Sequence, residues 1–241
     1  MGGNPRAVAA GIAIKRPPIM NASLVDQVVN SVLYEGYILY PYRPSSIKNR
    51  SRFTFGRVYP EAFSISQNGA EPFVMQTECL VQSTGASLVQ VTIRFLHPLA
   101  REIRPLEPKE AEHSRDADSK PVQELRVDDR LYQTWQEAVE RTVALAPQSI
   151  RAIAERSFEL PFTFPSSCTR ESICDDAGEV VGMMTRRQEE LQGRVEIGAT
   201  SIDAEVFKLS VRVVNQTRVS DSELTSEDAV IMRTFASTHA I

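Results

Sequence analysis

The most regular hydrophobic pattern in this chain is a strict alternation of apolar and polar residues between residues 87 and 97. In SLVQVTIRFLH, the apolar residues Val89, Val91, Ile93 and Phe95 occupy every second position, and polar residues lie between them. Because successive side chains of a strand point to opposite faces of a sheet, this spacing predicts a strand with one buried face. The preceding segment FVMQTECLV is also strand-like, and the residues STGA that link the two have turn composition. The pattern predicts an antiparallel hairpin over residues 73 to 97.

The same alternation returns in EVFKLSVRVVN, where Phe207, Leu209, Val211 and Val213 share one side of a predicted strand. The strand-like segment GRVEIGATSI precedes it after only a few residues, which predicts a second hairpin. Two such hairpins are typical of a mainly β protein. We expect an antiparallel β-sandwich with short flanking helices.

Two short helices are predicted, one near each end of the chain. In NASLVDQVVNSVLYEG, Ser23 and Asp26 have the spacing of a helix start, apolar residues follow at helical spacing, and Gly36 favours a stop. In TSEDAVIMRTF, Thr225 and Asp228 have capping-box spacing and predict a terminal helix or turn.

The segment WQEAVERTVALAP is ambiguous between helix and strand. Trp135, Val139 and Val143 fit one side of either element. We favour a strand over residues 135 to 145, because the proline-bounded segment Ser157 to Phe164 needs a pairing partner and β elements dominate the chain.

Composition changes divide the chain into four parts. Residues 1–21 form an N-terminal extension, and residues 22–97 contain a helix, a Tyr/Arg-rich edge and the first hairpin. Residues 98–121 mix charges of both signs with prolines and predict a solvated loop. Residues 122–241 continue the same β domain or form a second β subdomain.

The composition is that of an ordinary globular protein. The 241 residues are 42% hydrophobic and 24% charged with a net charge of −4, which argues against a general nucleic-acid binder. No apolar run approaches the roughly 18 residues of a membrane-spanning helix, so we expect no direct membrane insertion. Three cysteines are too few for a disulfide framework, which favours a reducing, cytoplasmic location.

The cysteines do not predict a metal centre. Cys168 and Cys174 lack a second close pair of ligands in sequence, so we interpret them as loop residues and expect neither metal nor cofactor. Cys79 lies in the first hairpin, where we expect it in the core.

No stretch of the sequence matches a complete catalytic site. There is no G-x-S-x-G motif, no phosphate-binding loop, and no histidine near a plausible serine or cysteine partner in sequence. We therefore favour a non-catalytic protein. An active site whose residues are distant in sequence and meet only in the folded structure remains an alternative.

The segment VLYEGYILYPYRPSSIKNRSRFTFGRVYP is the strongest candidate for function. It contains five of the six tyrosines and has five basic residues with no acid after Glu35. This composition suits a protein-binding hot spot, a single-stranded nucleic-acid platform, or an edge strand with wet tyrosine hydroxyls. We favour protein binding because the rest of the chain is acidic. The predicted contact residues are Tyr34, Tyr37, Tyr40, Tyr42, Arg43, Lys48, Asn49, Arg50, Arg52 and Arg57.

A family resemblance begins in the same segment. The succession Leu-Tyr-Glu-Gly-Tyr, Tyr-Pro-Tyr-Arg, Lys-Asn-Arg and Phe-Gly resembles the N-terminal half of an uncharacterised bacterial protein family associated with uptake [NiFe]-hydrogenase gene clusters. The matching residues are Leu33, Tyr34, Glu35, Gly36, Tyr37, Tyr40, Pro41, Tyr42, Arg43, Lys48, Asn49, Arg50, Phe55 and Gly56.

The resemblance implies that the protein belongs to the hydrogenase system, but it does not imply a particular reaction. We expect a non-catalytic accessory, assembly or structural partner of a [NiFe] hydrogenase, which docks on a hydrogenase subunit or maturation factor through the Tyr/Arg segment. The alternative is an enzyme that acts in hydrogenase maturation or on a small substrate. A single-stranded nucleic-acid-binding module is the third hypothesis.

Overall fold

A computed structural model describes residues 22–33, 56–83, 87–106 and 119–241 of the chain. The helices are α1 (Ala22–Leu33), α2 (Glu61–Ser66), α3 (Ile150–Glu155), α4 (Asp221–Leu224) and α5 (Glu227–Ile231). The strands are β1 (Val74–Gln82), β2 (Leu88–Pro105), β3 (Glu124–Val127), β4 (Arg130–Gln133), β5 (Trp135–Ser149), β6 (Phe158–Phe164), β7 (Ser167–Cys174), β8 (Val180–Gln188), β9 (Leu191–Ser201), β10 (Val206–Asn215) and β11 (Ala236–Ala240).

The fold of the described residues is mainly β, as the alternating patterns predict, with two large antiparallel sheets, a two-stranded β3–β4 sheet and a few short helices. One sheet has four strands in the order β1-β10-β9-β6. The other sheet, which we call the curled sheet, is built on the long strand β2. Strand β5 pairs along one edge of β2, while β11 and then β8 pair along the other edge, and β7 lies outside β8.

The main core lies between the two sheets. Alternate residues of β2, from Val91 to Phe95, pack against the alternate apolar residues of β9 and β10. The rings of Phe95, Phe162 and Phe235 contact one another, with centroid distances of 4.8 to 5.9 Å. Strict alternation thus places one complete apolar face of each central strand out of water, which is the main source of stability.

The second predicted hairpin is confirmed, whereas the first is wrong. Strands β9 and β10 pair directly with each other. Strand β1, however, pairs with β10, and β2 pairs with β5, β8 and β11, so the two strands of the first predicted hairpin belong to different sheets. Alternation indicates which face of a strand is buried. Two strands show the same alternation whether they pair in one hairpin or face each other from the two sheets of a sandwich, so the pattern does not distinguish these arrangements.

Strand β5 confirms the strand interpretation of the ambiguous segment, but its predicted partner is wrong. The segment from Ser157 to Phe164 pairs with β9 in the four-stranded sheet, and β5 pairs with β2. Helix α3 separates the two segments, and its Ile150 and Ile153 are buried in the main core. This helix carries the chain from one sheet to the other, so β5 and β6 do not meet as neighbours.

Residues 98–105, predicted as part of a charged loop, belong to a strand, and residues 107–118 of that prediction lie outside the described part of the chain. Strand β2 continues without a break from Pro98 to Pro105, and β3 and β4 form a small hairpin from residue 124 to residue 133. Cys79, expected in the core, is exposed, because β1 is an edge strand whose middle residues are exposed on both faces.

The helices near the two ends are present. The end of α1 places Leu33 against Leu96 and Ala236 on the outer face of the curled sheet. Near the C-terminal end, the cap of α5 is Ser226 rather than Thr225, and a capping box joins Ser220 to Glu223 at α4. Among the described residues, no helix combines the length and apolar character needed to cross a membrane.

Candidate binding site on the curled sheet

The second half of β2 carries the most distinctive polar surface among the described residues. Its inner face, the one that points toward the sandwich core, begins with Phe95 in the main core and ends with Ile103 in a smaller core against β3, β7 and β8. Between these two apolar clusters the same face carries His97, Leu99 and Arg101. A polar surface is therefore held between two packed cores.

A row of four charged residues crosses this inner face, with one residue from each of four strands. Glu137 of β5 accepts hydrogen bonds from Arg101 of β2 at 2.7 Å and from Arg186 of β8 at 3.0 Å. Arg186 also donates to Glu171 of β7 at 2.9 Å. Because Arg101 and Arg186 are direct neighbours in the strand register, the Glu137 carboxylate between them offsets their repulsion. We call these four residues the charged row.

The charged row is ordered but open to solvent. The side chains of Arg101, Glu137 and Arg186 are 24 to 32% exposed, and that of Glu171 is 62% exposed. Hydrogen bonding to Glu171, followed by Glu137, raises the pKa of Arg186 above its ordinary value. Residues anchored on paired strands lose little further entropy on binding, so this row presents a fixed charge pattern to a ligand.

Next to the charged row lies a second polar cluster, centred on Arg141 of β5. The guanidinium lies over the ring of Phe164 at 4.7 Å. Its Nε donates to His97 Nδ1 at 3.4 Å, and its Nη2 donates to Gln188 Oε1 at 3.0 Å. The hydroxyl of Ser167 also donates to Gln188 Oε1, at 3.3 Å. We call these five residues the Arg141 cluster.

His97 is the fully buried member of the Arg141 cluster. Its Nε2 donates to the carbonyl oxygen of Glu189 at 2.9 Å, which leaves Nδ1 as the acceptor for Arg141. Burial, and after it the charge of Arg141, lowers the pKa of His97 to about 4. The imidazole is therefore neutral at pH 7, and it positions Arg141 rather than exchanging protons with a ligand.

Most of the sequence-predicted contact residues lie outside the described part of the chain. Arg57 is the member of that set that the structure describes. It is buried, its Nη1 donates to the hydroxyl of Tyr59 at 3.0 Å, and its guanidinium lies 5.9 Å from the Tyr59 ring centroid. Its guanidinium is thus directed into the protein at this point. The remaining predicted residues are Tyr34, Tyr37, Tyr40, Tyr42, Arg43, Lys48, Asn49, Arg50 and Arg52.

The cysteines do not come together in the structure. Cys79 lies on β1, and Cys168 and Cys174 lie on β7, where all three are exposed. Within residues 22–33, 56–83, 87–106 and 119–241, no group of three or more His, Cys, Asp or Glu side chains has the geometry of a metal site. His239 contacts Ser237 Oγ through Nε2 at 3.0 Å.

Sequence reasoning missed the charged row and the Arg141 cluster, although a signal was present. Once β5 is a strand, Glu137, Val139, Arg141 and Val143 fall on one side, so two charged residues share a face with the core residue Val143. Charged residues on a core-facing side are unusual and point to a site. Recognising it required the strand assignment that the sequence left ambiguous.

Comparison with known proteins adds no relative to this picture. No family model, no curated protein and no solved structure matches the chain. The geometry of the described residues is therefore the main support for a functional proposal.

Proposed function

We propose that this protein is a non-catalytic accessory module that binds a protein partner through the inner face of the curled sheet. The observation that carries this proposal is the charged row, in which Arg101, Glu137, Arg186 and Glu171 form a continuous ion-paired line across four strands. A fixed pattern of both signs selects a partner with the complementary pattern and rejects others by like-charge repulsion.

The charge balance of the row favours a protein over a nucleic acid. Its two arginines are matched by two glutamates. Nucleic-acid binding gains most of its affinity from unmatched cations that meet phosphates. A neutral, alternating row lacks that excess and is better suited to the mixed charges of a protein surface.

The chemistry of His97 supports a binding role rather than a catalytic one for the Arg141 cluster. His97 is buried and neutral, and both of its ring nitrogens are engaged. General acid–base catalysis needs a group that reaches the substrate and titrates near the working pH. His97 has neither property, and its role in this proposal is to hold Arg141.

The identity of the partner in this proposal comes from the resemblance around Tyr34 to Gly56. On that resemblance, we propose that the bound partner is a hydrogenase subunit or maturation factor. We also propose that the two proteins meet in the cytoplasm. The Tyr/Arg segment, residues 32 to 60, remains part of the proposed docking surface, apart from the buried Arg57, Val58 and Tyr59. We propose that it acts together with the charged row.

A charge swap tests the proposal. The quadruple variant Arg101→Glu, Glu137→Arg, Glu171→Arg and Arg186→Glu keeps opposite charges side by side within the row but inverts the pattern that a partner meets. We expect this variant to retain its melting temperature and to lose capture of hydrogenase subunits or maturation factors, identified by mass spectrometry, from an extract of hydrogenase-producing cells.

The matched control is the double variant Glu78→Lys with Lys208→Glu on the four-stranded sheet, where the native pair lies at 3.4 Å. This control should capture the same proteins as the native chain. If the native protein and the charge-swap variant of the row captured these partner proteins equally well, the proposal would be wrong.

A further inference from the structure

Arg141 differs from the other inner-face arginines in having no acid beside it. Arg101 and Arg186 each pair with Glu137. Among the described residues, by contrast, no carboxylate lies within ion-pair distance of Arg141, whose hydrogen-bond acceptors are the neutral His97 and Gln188. We infer that the Arg141 cluster is a carboxylate-recognition site that takes an acidic side chain from the partner segment bound on this face, an inference that rests on the proposed function.

The guanidinium is held in place before any ligand arrives. Nε and Nη2 are each engaged, and the Phe164 ring lies beneath the guanidinium. A free arginine side chain loses considerable rotamer entropy when it binds an anion. Because Arg141 is already ordered, a larger part of each hydrogen bond to a ligand appears as affinity.

The cluster also has donors left to offer. Arg141 is half-buried, and its Nη1 donates to none of the described residues. Gln188 is buried, and its Nε2 has no hydrogen-bond partner within the part of the chain that the structure describes. Ser167, whose hydroxyl contacts Gln188, is exposed at the edge of the cluster. Unmatched donors around a fixed cation stabilise an anion through charge-assisted hydrogen bonds.

The neighbouring charges select the class of anion. Three arginines and two glutamates of the inner face leave one positive charge unmatched, that of Arg141. Of the acids on the adjoining β8–β9 connection, Glu189 pairs with Arg233 at 3.3 Å, and Glu190 accepts from Gln192 at 2.7 Å. A monoanionic carboxylate balances the single unmatched charge. A phosphate dianion would add a negative charge beside Glu137 and Glu171 and would be repelled.

The surroundings fit a side chain that enters from a bound segment. Val139, two residues from Arg141 on the same side of β5, is 38% exposed and borders the open part of the inner face. Glu137, at the next position on this side of β5, belongs to the charged row. A segment lying along the row would therefore pass Arg141 with its side chains, whereas a chain terminus would engage it only once.

The test is calorimetric titration of the native full chain with an acetylated, amidated hexaglutamate peptide. We expect binding, with an association constant that falls roughly tenfold or more in Arg141→Gln. The matched control is Arg187→Gln, which removes an exposed arginine from the opposite face of β8 and should change the constant by less than about twofold. Capped hexaglutamine should not bind. Equal binding by native protein and Arg141→Gln, or none by native protein, would overturn the inference.

A second variant keeps the test decisive if Arg141→Gln does not fold. Val139→Glu places a carboxylate at the exposed border of the cluster, where it should occupy Arg141 and abolish hexaglutamate binding without lowering the melting temperature. Unchanged binding in this variant would contradict the site.

Two competitors check the ligand class. Displacement of hexaglutamate by inorganic phosphate at a lower concentration than by acetate would contradict a carboxylate site. Equal binding of acetylated hexaglutamine with a free C-terminus would contradict an acidic side chain as the ligand.

The inference and the proposed function can fail separately. Loss of partner capture in the four-residue charge swap of the row, together with full capture by Arg141→Gln, would retain the binding module and remove the carboxylate site. Hexaglutamate binding that depends on Arg141, together with equal capture by the swap variant, would retain the site and remove the proposed partner.

Discussion

The side-chain amide of Asn215 donates a hydrogen bond to the carbonyl oxygen of Val58, 157 residues earlier in the chain, at a distance of 2.8 Å. The same nitrogen donates to the carbonyl oxygen of Arg233 at 2.9 Å, and the amide oxygen accepts from Thr217 N at 2.9 Å. Asn215 is fully buried. One side chain at the end of β10 thus joins two separate segments that share no strand pairing with it.

Asn215→Leu should destabilise the protein by about 2 to 4 kcal/mol, because the carbonyl oxygens of Val58 and Arg233 and the N–H group of Thr217 each lose a hydrogen bond. The control is the next residue, the exposed Gln216, whose replacement by Ala should stay within about 0.5 kcal/mol. Urea unfolding gives both free energies. A loss in Asn215→Leu no larger than that in Gln216→Ala would contradict the structural role.

Gly193→Ala should be poorly tolerated. A Cβ at this position would lie 2.8 Å from Phe235 Cζ and 2.9 Å from the carbonyl oxygen of Val214, and it would also clash with the Phe162 ring. We expect a loss of about 3 kcal/mol, at the upper end of overpacking costs. On the same strand, a Cβ at Gly198 has only Ser157 Cβ near it, at 4.0 Å, so Gly198→Ala should remain within about 1 kcal/mol of native. Equal melting curves for the two variants would contradict this packing.

Stability should fall as the pH is lowered from about 6.5 to about 4. The folded state holds the pKa of His97 at about 4, whereas the unfolded chain has the ordinary value of 6.5, so the unfolded state binds the additional proton in this window. Full expression of the shift corresponds to roughly 3 kcal/mol lost by pH 4. Below pH 4 both states are protonated at His97 and its contribution stays constant.

His97→Gln isolates this effect, because it keeps a polar side chain and removes the titration. We expect its unfolding free energy to depend less on pH between 6.5 and 4 than that of the native protein. Glu223 affects stability in a lower pH range. Hydrogen bonds from the Ser220 backbone and hydroxyl, and then from Arg233, lower the pKa of Glu223 to about 2. Its contribution to the unfolding free energy is therefore lost only as the pH falls below the ordinary value of 4.5. Parallel pH profiles for native and variant between 6.5 and 4.5 would contradict a neutral buried His97.

The Tyr/Arg segment gives a separate prediction. Arg43→Glu with Arg50→Glu should leave the melting temperature nearly unchanged, since exposed substitutions are usually worth within about 0.5 kcal/mol. Capture of hydrogenase components should fall and become more sensitive to salt, because cations that meet an acidic partner contribute screened attraction. A large loss of melting temperature, or equal capture, would favour a structural role for these arginines. Reduced binding to a single-stranded oligonucleotide would instead favour the nucleic-acid hypothesis.

The inner-face site shows where sequence reasoning stopped. Charged residues at positions 137 and 141 share one side in a strand and in a helix alike, but only a strand places them on the same side as Val139 and Val143. That Glu137 reaches over β2 to Arg186, 49 residues later, follows from the order of strands in the sheet. No spacing in the sequence encodes that order.

By itself, the sequence determined the fold class, the faces that strands β2 and β10 bury, the β9–β10 hairpin and the helix ending at Leu33, because these follow from periodicity and short-range turn and capping chemistry. Tertiary structure alone decided that β1 and β2 lie in different sheets, that β5 pairs with β2, and that Cys79 is exposed on an edge. It also decided which charges meet in the row. Alternation specifies a buried face without naming the strand that covers it, and that choice depends on how all the apolar faces of the chain are buried at once.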